Sequence, residues 1–296
     1  MTDTPRYARG MWTLYEPVHA VTYFAPEGRA AFETAGLRGF WRGYFAGRAA
    51  PLGPIGPAPV IALFNGFAPA MVQRALPAVW SMIEPAAALD ARAVGSAAAL
   101  RRLAPDAAVV ERVASGLETA VARLELPGRA LGAANVDLPR RDDPYERLWQ
   151  ATATLREHRG DGHVAALVAV GFAGLPMLVL RAALDIGRDQ LQPTRGWTDD
   201  EWNAATTELV ANGLLDEAGR VTETARQLIA EVERATDEAA AHAWAALEPD
   251  EITLLASELL PIARACVAEL PERTPIGTYT PWDPSADAEA ARIGWR

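Results

Sequence analysis

Lysine is absent: all 28 basic residues of this 296-residue chain are arginine. Without lysine there is no Schiff-base amine, so pyridoxal-phosphate chemistry is excluded, as is a phosphate loop built on its lysine. Cysteine is nearly absent too. Cys266 stands alone in the apolar run Pro261–Val267, which excludes internal disulfides and paired-cysteine metal or redox sites and fits a buried, inert thiol. None of the five serines (Ser81, Ser96, Ser115, Ser257, Ser285) sits in a Gly-x-Ser-x-Gly elbow. No apolar run reaches the length of a membrane span and the first residues hold no secretory apolar stretch, so a cytoplasmic protein is expected.

Half of the chain is apolar and 22% is charged, with a net charge of -10, which is the composition of a globular protein and excludes wholesale disorder. The all-arginine usage beside abundant alanine, glycine and proline reads as the codon bias of a GC-rich bacterial genome. The apolar periodicity is helical almost throughout. It predicts helices opening at Pro26 and stopping at Gly36, over 37–48, near 58–65 and 69–80, then over 86–103 and 106–125. A Pro/Gly connector fills 51–57. The polar stretch 127–143 reads as a linker between an aromatic-rich helical domain at 1–126 and a second domain at 144–270, with an extended tail at 271–296.

In the second half Asp143 as N-cap, Pro144 at the first helical position and Glu146 at the third form a capping box, with the helix running to about Glu157. His158-Arg159-Gly160-Asp161-Gly162-His163 reads as a loop before helices near 163–172 and 175–186. Thr198-Asp199-Asp200-Glu201 is a second capping box, opening a helix closed by Gly213. Residues 214–222 read as a short hairpin around an acidic turn, followed by helices at 223–245 and 250–270. Residues 60–68 and 164–173 also resemble each other, with one inserted residue, as a duplicated pair of helical halves would.

Asn212-Gly213-Leu214-Leu215, the acidic turn, and Val221-Thr222-Glu223-Thr224-Ala225-Arg226 follow a capped helix in that order. In this, residues 163–234 resemble the MarR-type winged helix-turn-helix, with Ala225 where that family's phrase has glycine. The whole chain, including residues 156–163, resembles a helix-turn-helix-like family common in actinobacteria. The resemblance implies a mainly α fold of two winged-helix-like halves with a small β-hairpin wing, and a homodimer as in MarR proteins. It implies no activity.

Charge argues against nucleic acid on the expected recognition helix. Trp197–Gly219 holds no basic residue and six acids, Asp199, Asp200, Glu201, Glu208, Asp216 and Glu217. Acids suit a first helical turn, which accounts for Asp199 to Glu201, but not for the missing arginines or the acidic hairpin tip.

Aromatics crowd the front: thirteen of 22 lie within residues 1–80. At helical spacing Phe40, Trp41, Tyr44, Phe45 and Arg48 share one face. A stripe of this kind is either core, with Arg48 snorkelling or pairing with a structural carboxylate, or the wall of a cavity with Arg48 at its polar end. In the second reading Tyr44 supplies a hydroxyl, Asn65 an amide and His19 a further polar group. The densest polar cluster is 158–163. Asp161 there reads as an N-cap, whereas His158, Arg159 and His163 are not needed for capping. A histidine beside Asp161 and an arginine is a sensible acid/base group. The spacing is not that of a zinc helix, so no metal is expected. A haem would find axial candidates in His19, His158 or His163, yet nothing specifies one, so no cofactor is expected.

The resulting expectation is a small-molecule-binding protein, or a cofactor-independent enzyme of specialised metabolism, on a winged-helix scaffold that no longer binds DNA. Arg48, Tyr44, Asn65, Trp41, Phe45, His19 and Arg159 would bind a hydrophobic or aromatic, partly anionic ligand, with His158, His163 and Asp161 near any proton transfer. No membrane partner is expected. The alternative is a ligand-responsive MarR-like regulator. The charge pattern predicts no shift of duplex DNA in a gel-mobility assay at moderate ionic strength; salt-sensitive binding at nanomolar protein would reverse this expectation.

Overall fold

Proline opens helix after helix in this chain, because its missing N–H costs nothing where no intrahelical acceptor exists. Pro26, Pro57, Pro69, Pro85, Pro144 and Pro249 each stand first in a helix. The computed structural model describes residues 4–272, 274, 276–277 and 280–286. Within them run α1 (Thr4–Phe24), α2 (Pro26–Thr34), α3 (Phe40–Ala49), α4 (Pro57–Phe64), α5 (Pro69–Ala75), α6 (Pro85–Leu103) and α7 (Ala107–Val121). There follow α8 (Ala130–Val136), α9 (Pro144–Ala169), α10 (Leu175–Arg181), α11 (Arg188–Arg195), α12 (Asp199–Ala211), α13 (Glu223–Ala240) and α14 (Pro249–Val267). No described helix is long and apolar enough to cross a membrane.

α9 is the axis. Its 26 residues have no single apolar face, because α1, α6, α7, α8 and α13 pack around it. One core joins α1, α6, α7, α9 and α14 around Trp149, Trp244, Met11 and Leu14. A front core, from α2 to α6, centres on Phe45, Phe64, Phe67 and Val72. A rear core, from the end of α9 to α13, holds Leu180, Trp202, Leu209 and Ile229. Trp197 packs against both the front and the rear core. Its indole N–H donates to the Gly66 carbonyl at 2.7 Å, and the Ala68 N–H donates to the Arg195 carbonyl at 2.8 Å.

Several expectations need correction. The chain begins its helices earlier than expected, with α1 running through Pro17. The expected loop at 158–163 is instead the middle of α9. Its glycines cost helix propensity of about 1 kcal/mol each, which tertiary packing overrides: the Arg129 guanidinium crosses α9 at Gly162, in the space that a Cβ would take. Asp161 therefore does not cap its own helix. It caps α8 from the side, accepting the Gly132 N–H at 2.9 Å. The expected linker at 127–143 contains α8, packed on α9.

The hairpin is also smaller than expected. Among the described residues there is no strand, only one antiparallel bridge between Leu215 and Val221. Asp216 closes the turn by accepting the N–H groups of Ala218 and Arg220, and Thr222 already caps α13. That leaves too few residues for a ladder. By contrast the capping box of Thr198 and Glu201 forms as expected, whereas at α9 only the Asp143 half of the expected box forms and Glu146 lies near Arg141 instead.

The two similar segments each end a helix near a positive-φ glycine, though the residue before it differs in conformation, Asn65 at φ 42 and Val170 at φ -99. α4 leads into Gly66 at φ +79 and α9 into Gly171 at φ +77, each followed by Phe-Ala and another helix. These turns meet: the Gly174 N–H donates to Asn65 Oδ1 at 2.6 Å, and Leu178 packs over Gly66.

α2 and α6 cross closely at Gly95, where an added Cβ would sit 2.9 Å from Ala31 Cβ and 3.0 Å from the Glu27 carbonyl oxygen. Gly95→Val should destabilise the protein by about 1–3 kcal/mol through overpacking. Urea unfolding of the variant checks this, and a midpoint equal to the parent's would contradict the crossing.

Candidate ligand-binding cavity

The continuity of α9 puts Arg156, Arg159, Gly160, His163, Val164 and Leu167 on one stripe at i, i+3, i+4, i+7, i+8 and i+11. The stripe faces a cavity of about 510 Å³, which lies within the range of small-molecule sites. α1 contributes Trp12, Glu16 and Tyr23; α3 contributes Phe40, Trp41, Tyr44 and Arg48; the α4 end and its turn contribute Phe64, Asn65 and Phe67. The rear supplies Met177, Leu178 and Arg181 from α10, Arg195 from α11 and Glu233 from α13. Pro271 and Ile276, beyond α14, complete the wall.

Arg48 anchors the front. Its Nε and Nη2 donate to the two carboxylate oxygens of Glu157 at 2.8 and 3.0 Å, Nη1 donates to the Tyr44 hydroxyl at 3.1 Å, and its guanidinium lies 4.0 Å from the Phe64 ring centroid. Arg156 donates to the same Glu157 at 2.9 Å and lies 3.5 Å from Glu16. Burial opposes the Glu157 charge, but Arg156 and Arg48 outweigh it and hold the carboxyl far below its usual range. Burial likewise opposes the Arg48 charge, and Glu157 restores it, leaving the guanidinium more firmly protonated than usual. Arg48 is thus both an ion-pair member and a cavity residue.

A second network anchors the rear. Arg159 donates to Asp237 at 2.8 Å and reaches Glu233 at 3.4 Å, with its guanidinium 4.4 Å from the Trp12 ring centroid. Arg9 from α1 binds the same two carboxylates. Against burial, His163, Arg159 and Arg9 bring the Glu233 carboxyl down to about 2. His163 Nδ1 lies 3.1 Å from the Thr236 hydroxyl, and burial lowers this imidazole to about 4, so it is neutral at pH 7.

Of the residues singled out in the sequence, Arg48, Tyr44, Asn65, Trp41, Arg159 and His163 meet around this cavity. Asn65 spends its side-chain carbonyl on Gly174, so it ties front to rear. Phe45 does not line the space; it is fully buried behind it, stacked on Phe64 at 6.1 Å. His19 lies deeper, stacked on Trp149 and bonded through Nε2 to the Tyr23 hydroxyl at 3.1 Å. Its imidazole is neutral, chiefly through burial.

His158 and Asp161 are turned away from the cavity. His158 Nε2 lies 2.8 Å from the Glu125 carbonyl, which only accepts, so that nitrogen carries the proton; Asp161 faces α8, where burial raises its carboxyl to about 6. A loop would have allowed the six residues at 158–163 to converge, whereas a helix sends 158 and 161 to the face opposite 159 and 163.

Arg156, Glu157, Glu16, Arg195 and Glu233 were not singled out. For Arg156 the signal was the helical stripe above, hidden by the two glycines. For the others, on four different elements, no local pattern exists.

Among the described residues no group of three or more histidine, cysteine or acidic side chains is placed to hold a metal. The chain belongs to a helix-turn-helix family, whose model matches residues 8–271. No curated protein and no solved structure matches it.

Removing the Glu157 carboxylate strands two arginines that share it. Glu157→Ala should cost about 3–5 kcal/mol in urea unfolding, while the paired apolar replacement Arg48→Met/Glu157→Leu recovers a substantial part. An unchanged midpoint for Glu157→Ala would mean that the ion pair is not formed.

Proposed function

We propose that this is a cytoplasmic small-molecule-binding protein on a helix-turn-helix scaffold, and that its ligand is an aromatic compound carrying a carboxylate or similar anionic group. The observation that carries this reading is the composition of the cavity wall. Aromatic rings of α1, α3 and the α4 turn line it together with arginines of α9, α10 and α11, and Arg159 and Arg195 lie over the rings of Trp12 and Phe67. Five arginines and two glutamates line the space, a cationic excess at the wall itself. Burial weakens the hold of Arg195 on its proton, so an incoming anion there would meet a partly desolvated charge held over the Phe67 ring. Arg48 and Arg159 are tied to Glu157 and Asp237, which fixes their position before a ligand arrives.

A helix-turn-helix scaffold is compatible with a second reading, a ligand-responsive regulator in which residues 163–234 form a MarR-like winged helix, working as a homodimer. In support, α12 is capped, exposed along Asp200, Asn203 and Thr207, and followed by the bridged turn. Against it, that exposed face carries an acid, Asp200, and no basic residue, and Arg188 beside it is engaged with Asp199 and Asn203.

Thermal-shift and calorimetric titration with benzoate, trans-cinnamate and 1-naphthoate, each beside its uncharged primary amide, tests the first reading. At least one carboxylate should bind at sub-millimolar concentration and its amide about tenfold or more weakly. Arg156→Met or Arg195→Met should weaken the carboxylate by about tenfold or more, as for loss of a charged hydrogen bond. No binding at several millimolar, or binding indifferent to both substitutions, would reject it.

A further inference from the structure

Thr236, on α13, has one hydroxyl proton and spends it on the Val232 carbonyl of its own helix, at 2.7 Å. Towards His163 it can therefore only accept. The 3.1 Å contact between Thr236 Oγ1 and His163 Nδ1 then requires the proton to be on Nδ1. Glu233 Oε1, 3.8 Å from the same nitrogen, favours that proton further. Nε2 is left as a lone pair, on a residue that lines the cavity and whose side chain keeps a quarter of its surface accessible. The groups facing this ring are Glu233 and Thr236 of α13, Arg159 of α9, Arg181 of α10 and Arg9 of α1. Burial, and after it the arginines, keep it uncharged at neutral pH against the opposing pull of Glu233.

We infer that His163 is a tautomer-locked hydrogen-bond acceptor that selects ligands bearing a hydroxyl as well as an anionic group, so that the compounds taken are hydroxylated aromatic acids. This rests on the ligand reading above and deepens it. The arginines can hold a carboxylate but cannot accept a hydrogen bond, since guanidinium groups only donate. Within the stripe of α9 that faces the cavity, His163 supplies an acceptor one turn from Arg159. A bound hydroxyl donates to Nε2, and a methoxy group at the same place leaves that lone pair buried and unpaired. Thr236 is a positioning residue in this scheme: it acts on the ligand only through the ring it orients.

Two measurements test this. Nitrogen-15 NMR of the unliganded protein should show His163 as the Nδ1–H tautomer from pH 5.5 to 8. Thr236→Val should give a tautomer mixture and Thr236→Ser should restore the lock. A wild-type ring carrying its proton on Nε2, or titrating near pH 6.5, overturns the inference without reference to any ligand.

Calorimetry with benzoate, the three hydroxybenzoates and the three methoxybenzoates is the second. At least one hydroxybenzoate should bind about tenfold or more tightly than its methoxy counterpart, and His163→Leu should bring the two together. If the benzoates bind through Arg156 and Arg195 with no hydroxyl preference, the role of His163 is wrong while the cavity reading stands. If none binds at several millimolar, both fall.

Discussion

The buried pairing of Glu157 with Arg48 and Arg156 is the constraint on which the molecule turns. Glu157 lies on α9, and Arg48 is 109 residues earlier on α3, so the contact ties the front core to the central helix. Alone, any of the three charges would be intolerable at that depth, because an unpaired buried ion costs several kcal/mol. Together they join α3 to α9 at the wall of the cavity. The rear answers with Arg9, Arg159, Glu233 and Asp237, which fasten α1, α9 and α13 to one another. Two polar networks, both reaching the stripe of α9 that faces the cavity, thus border that space at its front and at its rear.

These same residues give the cavity its chemistry. Arginines that are structural on one side are wall on the other, so their geometry is set before binding. The front and rear walls are also joined directly, by Asn65 to Gly174 and by Trp197 to Gly66. A chain built this way cannot move its front core without disturbing the turn after α9, which leads into the rear helices. Family membership adds the scaffold and no activity, since a fold accommodates many sites.

Much of the helical content was legible because capping and proline placement are local. Asp143, Thr198 and the prolines at helix starts act within one turn, and each marks its element. Misreadings arose where a distant group overrode a local preference. Gly160 and Gly162 argue for a loop, yet Arg129 needs the space at Gly162, and α9 runs through. The hairpin failed for length, since Thr222 begins a helix where a strand would have to continue.

Composition and order along the chain determined that lysine, disulfide and serine-elbow chemistries are absent, that the chain is helical, and that aromatics gather in its front. They also marked Arg48 as a charge at the end of an aromatic stripe that would snorkel out, pair with a carboxylate or face a cavity. Which carboxylate it found, and that His163 and Arg159 face a cavity while His158 and Asp161 face α8, was decided only by tertiary packing. The reason is physical: helical phase assigns residues to faces, but only the neighbours packed around α9 make one of those faces wall and the other core.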